Sequence, residues 1–422
     1  MINVLVVGGG AREHTIVWKL ARSPRIERIY VAPGSAGTGL IATNLAIDPG
    51  DIEGLARAAR DYRIDLTVVG PEAPLAAGIV DTFHSRGIPV FGPTKAATCI
   101  ESSKVFAKDL MQKYGIPTAN SRAFSSFGEA KAYVKQQALP AVIKADGLAA
   151  GKGAIIARSF DEAVAALSDI MERRVFGDAG NRVLIEECLN GKEVSLLAFT
   201  DGVTVLPMLP ACDYKRVGDG DRGPNTGGMG SYSPPGFFGR DMIDTVSDIV
   251  LKPAVQAMAT EGHPYSGVLY AGLMVTREGP RVIEFNARFG DPETQAMLPL
   301  LESDLAEIML AVVESRLDRI DVTWSEEACV GVVMASGGYP GSYRKGYAIT
   351  GLDDVDSDVM VFHAGTKMVD GEVVTDGGRV LTVVARGDTI AAAREHVYDN
   401  VVRIHFKGCH YRKDIAAREV SA

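Results

Sequence analysis

Short apolar runs alternate with amphipathic segments along the first hundred residues. Residues 4–7 are followed by a glycine turn, and the segment that begins at Arg12 places Ile16, Val17 and Leu20 on one helical face. Three further apolar runs, ending at residues 31, 69 and 91, stop within two residues of a Gly or Pro. Strands and helices that alternate in this way form parallel sheets with right-handed crossovers. The pattern therefore predicts a Rossmann-like parallel sheet over residues 1–102, with ligands beyond the carboxyl ends of its strands.

The pattern changes near residue 103, where a capped helix begins. Residues 103–325 mix helices with strands, and a smaller lid subdomain at about 123–194 contains a strand, a Gly-rich loop, a helix and a second strand. From residue 326 to residue 422 strands dominate, with one helix near the end. The sequence therefore predicts an α/β and α+β protein with three domains, the last of them mainly β.

Composition narrows the choice of partners. The 422 residues carry 44 basic and 53 acidic side chains, a formal charge of -9, which argues against duplex nucleic acid or an anionic membrane as the main partner. No apolar run approaches the ~20 residues that span a bilayer, and the N-terminus lacks the basic segment of a signal peptide. The five cysteines form no C-x-x-C pair, so we expect a cytoplasmic protein without a zinc signature.

The turn Gly8-Gly9-Gly10 resembles a dinucleotide-binding fingerprint but does not complete it. Glu13 stands where the third glycine is needed for close packing of helix on strand. A bound NAD is therefore not expected, although an anion could still bind the N–H groups at the start of the helix. The alternative is a plain strand-to-helix turn.

A second glycine-rich segment, residues 142–153, has the chemistry of a phosphate site. Gly147, Gly151 and Gly153 let backbone N–H groups approach an oxyanion, and Lys144 and Lys152 add full charges. It is not a Walker A loop, because Gly153 follows Lys152 where Ser or Thr would be required. Lys144 ends a strand with no carboxylate nearby in sequence, so we expect it to need an anionic ligand. The alternative is a flexible glycine turn.

Residues 281–286 form a predicted strand with oxygen donors on one face. The period of two places Glu284 and Asn286 together, which suits a hard cation such as Mg²⁺ that keeps waters and phosphates as its other ligands. Arg288 would supply a rigid cationic fork just past the metal. Taken alone, the same pattern is typical of a solvated surface.

A glycine-dense, charged stretch runs from Asp213 to Gly230. It is too long for a simple turn, and such loops are either functional or disordered; Pro224 and Met229 favour a substrate loop. His14 follows Glu13 at the start of a helix, where we expect a capping or surface role. The sequence contains neither H-E-x-x-H nor G-x-S-x-G, so nothing supports nucleophilic catalysis and the predicted site is electrostatic.

These motifs, in this order, resemble the ATP-grasp family, and within it the glycinamide ribonucleotide synthetases (phosphoribosylamine–glycine ligases). The resemblance covers nearly the whole chain and rests on these segments: 8–14, 69–75, 144–153, 213–216, 223–230, 284–295 and 377–380. Departures include Ala11, Cys212, Tyr214 and Ala287, where the family more often has Gly, Gln, His and Cys.

The resemblance implies a reaction of purine synthesis. ATP would phosphorylate the carboxylate of glycine, and the amine of 5-phosphoribosylamine would attack the acyl phosphate, giving glycinamide ribonucleotide, ADP and phosphate. Glu284 and Asn286 would hold Mg²⁺ or Mn²⁺. We expect a monomer or weak dimer with small-molecule substrates and neither nucleic acid nor membrane as partner.

The resemblance also implies how the remaining site residues are divided. The residues around ATP would be Lys104, Lys144, Gly151, Lys152, Gly153, Glu186, Glu187, Leu189 and Glu193. Asp213, Lys215 and Arg288 would be catalytic, and with Gly290 and Asp291 they would line the acceptor site. Gly8, Gly9, Gly10, Pro71, Glu72 and Arg379 would face the phosphoribosyl group.

Two other hypotheses stay open from the sequence. One is another ATP-grasp carboxylate–amine ligase, or a carboxylase, that uses the same nucleotide site. The other is a nucleotide-binding module without turnover, which would bind ATP but release no phosphate.

Overall fold

The first sheet of the protein consists of five parallel strands. The structure is a computed structural model that describes residues 1–148 and 153–420. The strands are β1 (Ile2–Gly8), β2 (Ile26–Pro33), β3 (Thr43–Asn44), β4 (Leu66–Val69) and β5 (Val90–Phe91), in the order β3-β2-β1-β4-β5. The helices are α1 (Ala11–Leu20), α2 (Ile52–Asp61), α3 (Glu72–Ala77) and α4 (Ile79–Ser85). β1 and β4 are neighbours, with Val7 opposite Val69, so the turns after them lie side by side. The predicted Rossmann-like sheet is confirmed.

Two helices connect this sheet to the middle of the chain. They are α5 (Cys99–Ser102) and α6 (Lys104–Lys113). Ser103 caps α6 because its hydroxyl accepts a hydrogen bond from the N–H of Phe106. The same hydroxyl donates to the carboxylate of Asp146 at 3.0 Å, and the N–H of Val105 donates to that carboxylate at 3.1 Å. The start of α6 is therefore tied to the glycine-rich loop that follows Lys144.

The lid subdomain is a four-stranded antiparallel sheet with helices packed on it. Its strands are β6 (Ser121–Phe124), β7 (Ala141–Ala145), β8 (Ala154–Ala157) and β9 (Val183–Glu187), in the order β6-β9-β7-β8. Its helices are α7 (Phe127–Val134) and α8 (Phe160–Leu167). Ile143 and Ile185 lie opposite each other in β7 and β9 and are buried in one apolar cluster with both helices. Near their ends, β7 and β9 carry the charged residues Lys144 and Glu186, which face a neighbouring sheet.

That neighbouring sheet is also antiparallel, and a bulge interrupts it at the site. Its strands are β10 (Lys192–Thr200), β11 (Val205–Pro207), β16 (Gly267–Thr276) and β17 (Gly279–Asn286), in the order β11-β10-β16-β17. Its helices are α9 (Arg240–Val246), α10 (Lys252–Thr260), α11 (Glu293–Met297) and α12 (Leu305–Val313). Gly272 pairs with Glu284 and Leu273 with Val282, so Ile283 is the extra residue. Such a bulge changes the direction of nearby side chains and leaves one residue unpaired.

A fourth sheet contains strands from distant parts of the chain. β12 (Cys212–Asp213) and β15 (Gly230–Ser233) join β18 (Ala328–Ala335), β19 (Met360–His363) and β22 (Arg379–Gly387), in the order β12-β15-β18-β22-β19. The smaller elements are β13 (Arg216–Gly218), β14 (Arg222–Asn225), β20 (Thr366–Val369), β21 (Glu372–Thr375), α13 (Ile390–Val401) and α14 (Ala417–Val420). The C-terminal residues are therefore mainly β, as predicted, but their sheet extends across residue 325.

The predicted surface position of His14 is wrong. The side chain is buried, and its Nδ1 accepts a hydrogen bond from the N–H of His363 in β19 at 2.8 Å. Burial, with the nearby His363, lowers the pKa of His14 to about 3. Among the described residues, every helix is too short or too polar to cross a membrane.

Candidate active site

A cleft of about 450 Å³ lies where the lid sheet, the bulged sheet and the turns of the first sheet meet. Lys144, near the end of β7, and Glu284, near the end of β17, both line this cleft. The predicted site residues that line it are Pro71, Glu72, Lys104, Lys144, Gly153, Glu186, Asp213, Lys215, Glu284, Asn286, Arg288, Asp291 and Arg379. The structure thus brings into one cleft groups that are up to 308 positions apart (Pro71 to Arg379) in the chain.

Three buried charges form the lid side of the cleft. The Glu186 carboxylate lies 3.0 Å from Lys108 Nζ and 2.8 Å from Lys144 Nζ, and all three side chains are at most 4% exposed. Lys144 also donates a hydrogen bond to the carbonyl of Ile283 at 2.9 Å, the residue left unpaired by the bulge. Although no carboxylate is close to Lys144 in sequence, Glu186 reaches it from the adjacent strand. One ammonium charge of the trio remains in excess.

Lys104 brings a further cation to the same wall. Its Nζ donates to the carbonyl of Gly147 at 2.8 Å, and Gly147 also lines the cleft. Burial lowers the pKa of Lys104, although Glu284 acts in the opposite direction. A half-buried ammonium that, among the described residues, is hydrogen-bonded to a carbonyl alone has capacity for an anionic ligand.

Glu284 lies among four cationic side chains. Burial by itself raises the pKa of its carboxyl group, but Lys215, Lys144, Lys104 and Arg288 together lower it. Glu284 is therefore ionised at neutral pH. The carboxylate and the surrounding cations give this end of the cleft the charge pattern expected of a metal–phosphate site.

The residues present fit a divalent metal that is shared with a phosphate ligand. In the part of the chain that the structure describes, no three His, Cys, Asp or Glu side chains gather into a metal site. Glu284 and Asn286 both face the cleft, and one or two protein oxygens suffice for a cation that takes its other ligands from phosphates and water. The amide oxygen of Asn286 accepts a hydrogen bond from Arg288 at 3.3 Å, which orients it.

Arg288 follows β17 of the bulged sheet and pairs with carboxylates of α3 and α5. It lies 3.3 Å from carboxylate oxygens of both Glu72 and Glu101. Glu101 in turn accepts a hydrogen bond from the N–H of Ala287 at 2.7 Å. Against the effect of burial, the two carboxylates raise the pKa of Arg288. The predicted cationic fork is thus present, but carboxylates of the protein already position it.

A second group of acids surrounds Lys215 at the acceptor end. Lys215 contacts Glu193 and lies 4.0 Å from Asp213. Burial, together with the nearby carboxylates of Glu293 and Glu193, raises the pKa of Asp213 to about 8. The Glu293 carboxylate accepts a hydrogen bond from the hydroxyl of Tyr270 at 2.8 Å. This end of the cleft has the charge pattern to receive a cationic ligand group.

The opposite wall is closed by Arg379 and the glycine-dense loop. Arg379 pairs with Asp291 at 2.7 Å and donates to the carbonyl of Gly227 at 2.6 Å. Against the effect of burial, Arg379 and Arg12 lower the pKa of Asp291. The loop is well ordered here: β13 and β14 form a short hairpin, and Thr226 and Gly227 line the cleft. Disorder, the alternative for this stretch, is excluded.

The start of α1 is occupied by a carboxylate of the protein itself. Glu13 folds back so that its side chain accepts a hydrogen bond from the N–H of Gly10 at 2.7 Å and from Arg12 Nε at 2.6 Å. A Cβ at Gly8, whose φ is +126°, would lie 2.5 Å from Glu13 Cγ, so the turn needs glycine there. The N–H of Gly10 is thus already paired within the protein.

Several predicted residues lie away from the cleft wall. Among the described residues, those outside its lining are Gly8, Gly9, Gly10, Glu187, Leu189, Glu193 and Gly290. Glu187 is exposed and accepts a hydrogen bond from the N–H of Asn120 at 2.8 Å. Gly151 and Lys152 lie outside the described residues. A Cβ on Gly10 would lie 3.9 Å from Asp291 Oδ2, so the first glycine turn borders the cleft.

The sequence analysis missed several groups that line the cleft. They are Arg12, Glu101, Lys108, Tyr270 and Glu293. Lys108 could have been predicted to line the cleft, because it follows Lys104 by one helical turn and lies on the same helical face. Glu101 and Glu293 each lie within three residues of a predicted ligand but carry no pattern of their own, because their partners come from other sheets.

Two antiparallel sheets that enclose a cleft of lysines and carboxylates, next to a Rossmann-like sheet, define the ATP-grasp class. Sequence profiles of phosphoribosylglycinamide synthetase match nearly the whole chain: the N domain matches residues 2–101, the ATP-grasp (A) domain residues 102–294 and the C domain residues 329–418. The chain belongs to the phosphoribosylglycinamide synthetase family.

Relatives and solved structures agree with this assignment. The phosphoribosylamine–glycine ligase of Halalkalibacterium halodurans is 52% identical over 423 residues, which covers 100% of this chain and 98% of the relative. That of Escherichia coli K12 is 50% identical over 425 residues, with 99% of both chains covered. The crystal structure of the Thermotoga maritima ligase superimposes with a TM-score of 0.87 at 34% identity, covering 98% of this chain and 100% of that one. Biotin carboxylase of Campylobacter jejuni shares the fold alone, with a TM-score of 0.74 at 13% identity over 97% and 92% of the two chains.

Proposed function

We propose that this cleft joins glycine to 5-phosphoribosylamine with ATP, through glycyl phosphate, as a step of de novo purine biosynthesis. The observation that carries the proposal is the convergence of Lys104, Lys144, Lys215 and Arg288 on the single carboxylate Glu284. A carboxylate substrate and a triphosphate repel each other, and an excess of fixed cations offsets that repulsion. The Escherichia coli K12 relative, which is 50% identical over 99% of this chain, is named for the same activity.

In the first step, a carboxylate oxygen of glycine attacks the γ-phosphorus of ATP. The bond between that phosphorus and the β,γ-bridging oxygen breaks, and ADP leaves with the electron pair. Lys104 and Lys144 would hold the phosphates, and Arg288 would bind the transferred group on its way to the acceptor side. The charge pattern is fixed before substrates bind, because Glu186, Glu72 and Glu101 position these cations.

A divalent metal would stabilise the charge that develops on the transferring phosphoryl oxygens. Glu284 and Asn286 are the residues that would hold it, and both Mg²⁺ and Mn²⁺ suit such oxygen ligands. Arg288, which donates to the Asn286 amide oxygen, would keep that oxygen turned into the cleft.

In the second step, the amine of 5-phosphoribosylamine attacks the carbonyl carbon of glycyl phosphate. The C–N bond forms, the bond from carbon to the phosphate oxygen breaks, and inorganic phosphate leaves. Asp213 and Glu293 would receive the ammonium of glycine, since a cation stabilises the ionised form of a carboxyl group such as Asp213, whose pKa is raised. Asp213 and Lys215 would then take part in proton transfer from the attacking amine.

The phosphoribosyl group would bind at the edge of the first sheet. Arg379 and the Pro71–Glu72 turn line this wall, and the turn Gly8 to Gly10 borders it beside Asp291. Gly290 would approach the same substrate through its backbone. Glu187, Leu189 and Glu193 lie on the segment that would run along adenine and ribose, outside the present wall of the cleft, so ATP binding would require this segment to approach.

Closure of the lid subdomain, at about 123–194, would keep water from the acyl phosphate. We propose domain limits at 1–102, 103–325 and 326–422, with Gly151 and Lys152 on the lid. We also propose that the enzyme acts in the cytoplasm as a monomer or weak dimer on small molecules, without nucleic acid or membrane partners. The charge of -9 and the five free cysteines support this.

One assay tests the function against its alternatives. Phosphate release is measured with ATP and magnesium while glycine and 5-phosphoribosylamine are added singly and together. Rapid release that requires both substrates supports the ligase. Release with bicarbonate in place of glycine would show a carboxylase, and tight ATP binding without release under any combination would show a binding module.

A further inference from the structure

A second cavity, of about 780 Å³, lies on the far side of α1 from the active-site cleft. Its walls come from five parts of the chain: α1 and the turn after it, residues 299–302, residues 325–327, residues 357–362 with β19, and the end of β22. Its lining shares no residue with the lining of the first cleft. It is therefore a separate site, and an inference about it does not rest on the proposed ligase reaction.

Three cationic side chains meet in this cavity. Lys19 and Arg22 come from α1 and the turn after it, and Arg386 comes from β22. Arg386 pairs with Glu327 at 3.1 Å. Lys19 donates to the carbonyl of Leu301, and Arg22 donates to the carbonyl of Trp18 at 3.0 Å. Within residues 1–148 and 153–420, neither Lys19 nor Arg22 has a carboxylate within 4.0 Å.

Three acidic residues, Glu302, Glu327 and Asp358, also line the cavity, but none of them lies within 4.0 Å of Lys19 or Arg22. Burial, followed by the proximity of Arg22 and Arg386, lowers the pKa of Lys19, and the more distant Asp304 and Glu302 compensate only in part. Burial and Arg386 likewise lower the pKa of Arg22. The remaining acid of the cavity, Asp358, is 3.5 Å from His396. The cations repel each other, so a bound anion would remove an unfavourable interaction.

An apolar surface lies beside the cations. The Trp18 ring packs edge-on against Phe362 with 5.6 Å between centroids, and the Arg22 guanidinium lies 3.7 Å from the centre of the Trp18 ring. Met360 and Val361 of β19 continue this surface. A cavity of this size with a few convergent charged groups on an apolar wall has the form of a small-molecule site.

We propose that this cavity binds a small phosphate monoester, with its phosphate between Lys19, Arg22 and Arg386 and its organic part against Trp18 and Met360. Two forked guanidinium groups and one ammonium match a compact dianion with several acceptor oxygens. Glu302, Glu327 and Asp358 at the same cavity would repel a longer polyanion, which favours a single phosphate group.

Tryptophan fluorescence provides a direct test, because the chain has two tryptophans, Trp18 and Trp324. In a Trp324→Phe variant only Trp18 emits, and Trp18 lines the cavity. The variant is titrated with glycerol 2-phosphate, with inorganic phosphate, and with chloride at matched ionic strength. We expect a saturable change with both phosphates and none with chloride. A response that follows ionic strength alone would overturn the proposal.

Charge substitutions locate the binding. Lys19→Gln and Arg22→Gln should each raise the dissociation constant about tenfold, the loss of one charge-assisted hydrogen bond. Arg25→Gln is the matched control, since Arg25 is an exposed arginine close by that pairs with Glu307 instead; its dissociation constant should stay within about twofold. Ligase activity should be unchanged in all three variants.

Two further measurements separate this site from the cleft and from folding defects. Lys144→Met should leave the Trp18 response intact, whereas loss of the response would place binding in the active-site cleft and overturn the proposal. If Trp324→Phe does not fold, calorimetric titration of the intact chain with glycerol 2-phosphate, with and without Arg22→Gln, decides the same question. Equal affinity in both chains would refute the assignment.

Discussion

The buried trio Lys108–Glu186–Lys144 makes a quantitative prediction about stability. Glu186→Gln keeps the size of the side chain but removes the carboxylate that, among the described residues, alone lies within 3.0 Å of two ammonium groups, each 3% exposed. Removal of one partner from a buried ion pair typically costs about 3–5 kcal/mol, because a charge is left uncompensated. Here two cations lose their partner, so we expect the free energy of unfolding of the lid to fall by at least about 3 kcal/mol at pH 7.

The cost should depend on pH in a defined direction. Burial already lowers the pKa of Lys108 in the intact protein, and Glu186 opposes that effect. Without Glu186 the folded-state pKa falls further below the unfolded value near 10.4, so between these two values the unfolded chain binds more protons. Stability of the variant should therefore rise relative to the parent as the pH increases from 7 to 10. A packing defect at residue 186 would show no such recovery.

Hydrogen exchange of peptides from β7 and β9 measures the opening free energy of the lid itself, which global unfolding of a multidomain chain does not. Glu187→Gln is the matched control: Glu187 is the next residue, but its side chain is 43% exposed and lies 3.7 Å from Arg281, so we expect a change below about 1 kcal/mol. Lys108→Met added to Glu186→Gln should restore part of the loss. An effect of Glu186→Gln no larger than that of Glu187→Gln, or one that is constant with pH, would refute the reasoning.

Three further predictions concern the cleft and the interface at α1. Glu284→Ala should lower turnover at least about 100-fold while circular dichroism is unchanged, since it removes the ionised oxygen ligand. The control is Glu278→Ala, at an exposed carboxylate before the same strand, which should retain activity. If Glu284→Ala still turns over at limiting magnesium, the assignment of Glu284 as a metal ligand is wrong. Lys144→Met should weaken ATP binding by about tenfold or more in calorimetry, because a charge-assisted contact is lost. Lys113→Met, at an exposed lysine, should leave the affinity for ATP unchanged. Unchanged affinity in Lys144→Met would contradict the role of Lys144 in phosphate binding. His14 has a pKa of about 3 when folded against 6.5 when unfolded, so between these values the unfolded chain takes up the proton and stability falls as the pH drops. From pH 8 to pH 5.5 this loss is about 1.4 kcal/mol, and urea unfolding of His14→Gln should show it reduced, whereas an identical pH dependence would exclude His14 as its source.

The elements of the fold could be predicted wherever the signal is local. The helix that begins at Lys104 follows a capping serine, and the strands of the first sheet end at Gly or Pro, so periodicity and turn residues located them within a few positions. Glu13 could also have been predicted, because a glutamate three positions after a helix cap commonly folds back to the cap N–H. The dinucleotide fingerprint by itself marks Glu13 as a departure but does not predict this hydrogen bond.

Partners on other strands could not be predicted. Glu186 reaches Lys144 because β9 pairs with β7 in a register that places Leu184 opposite Lys144, which makes Glu186 a diagonal neighbour on the same face. No local pattern encodes that register. The burial of His14 depends in the same way on β19, almost 350 residues away, and the unpaired carbonyl of Ile283 depends on a bulge. The sequence therefore predicts many of the charged residues that line the cleft, but not Arg12, Glu101, Lys108 or Glu293, and the pairing of all these charges depends on tertiary structure.

The sheet that crosses residue 325 has a consequence for any attempt to divide the protein. β15 pairs with β18, with Tyr232 opposite Val330, so a fragment ending at residue 325 would carry a bare strand edge beside its own active site. Such edges are templates for addition of another strand. Fragments 1–325 and 326–420, produced separately, should therefore recombine by strand addition, and activity should return only on mixing.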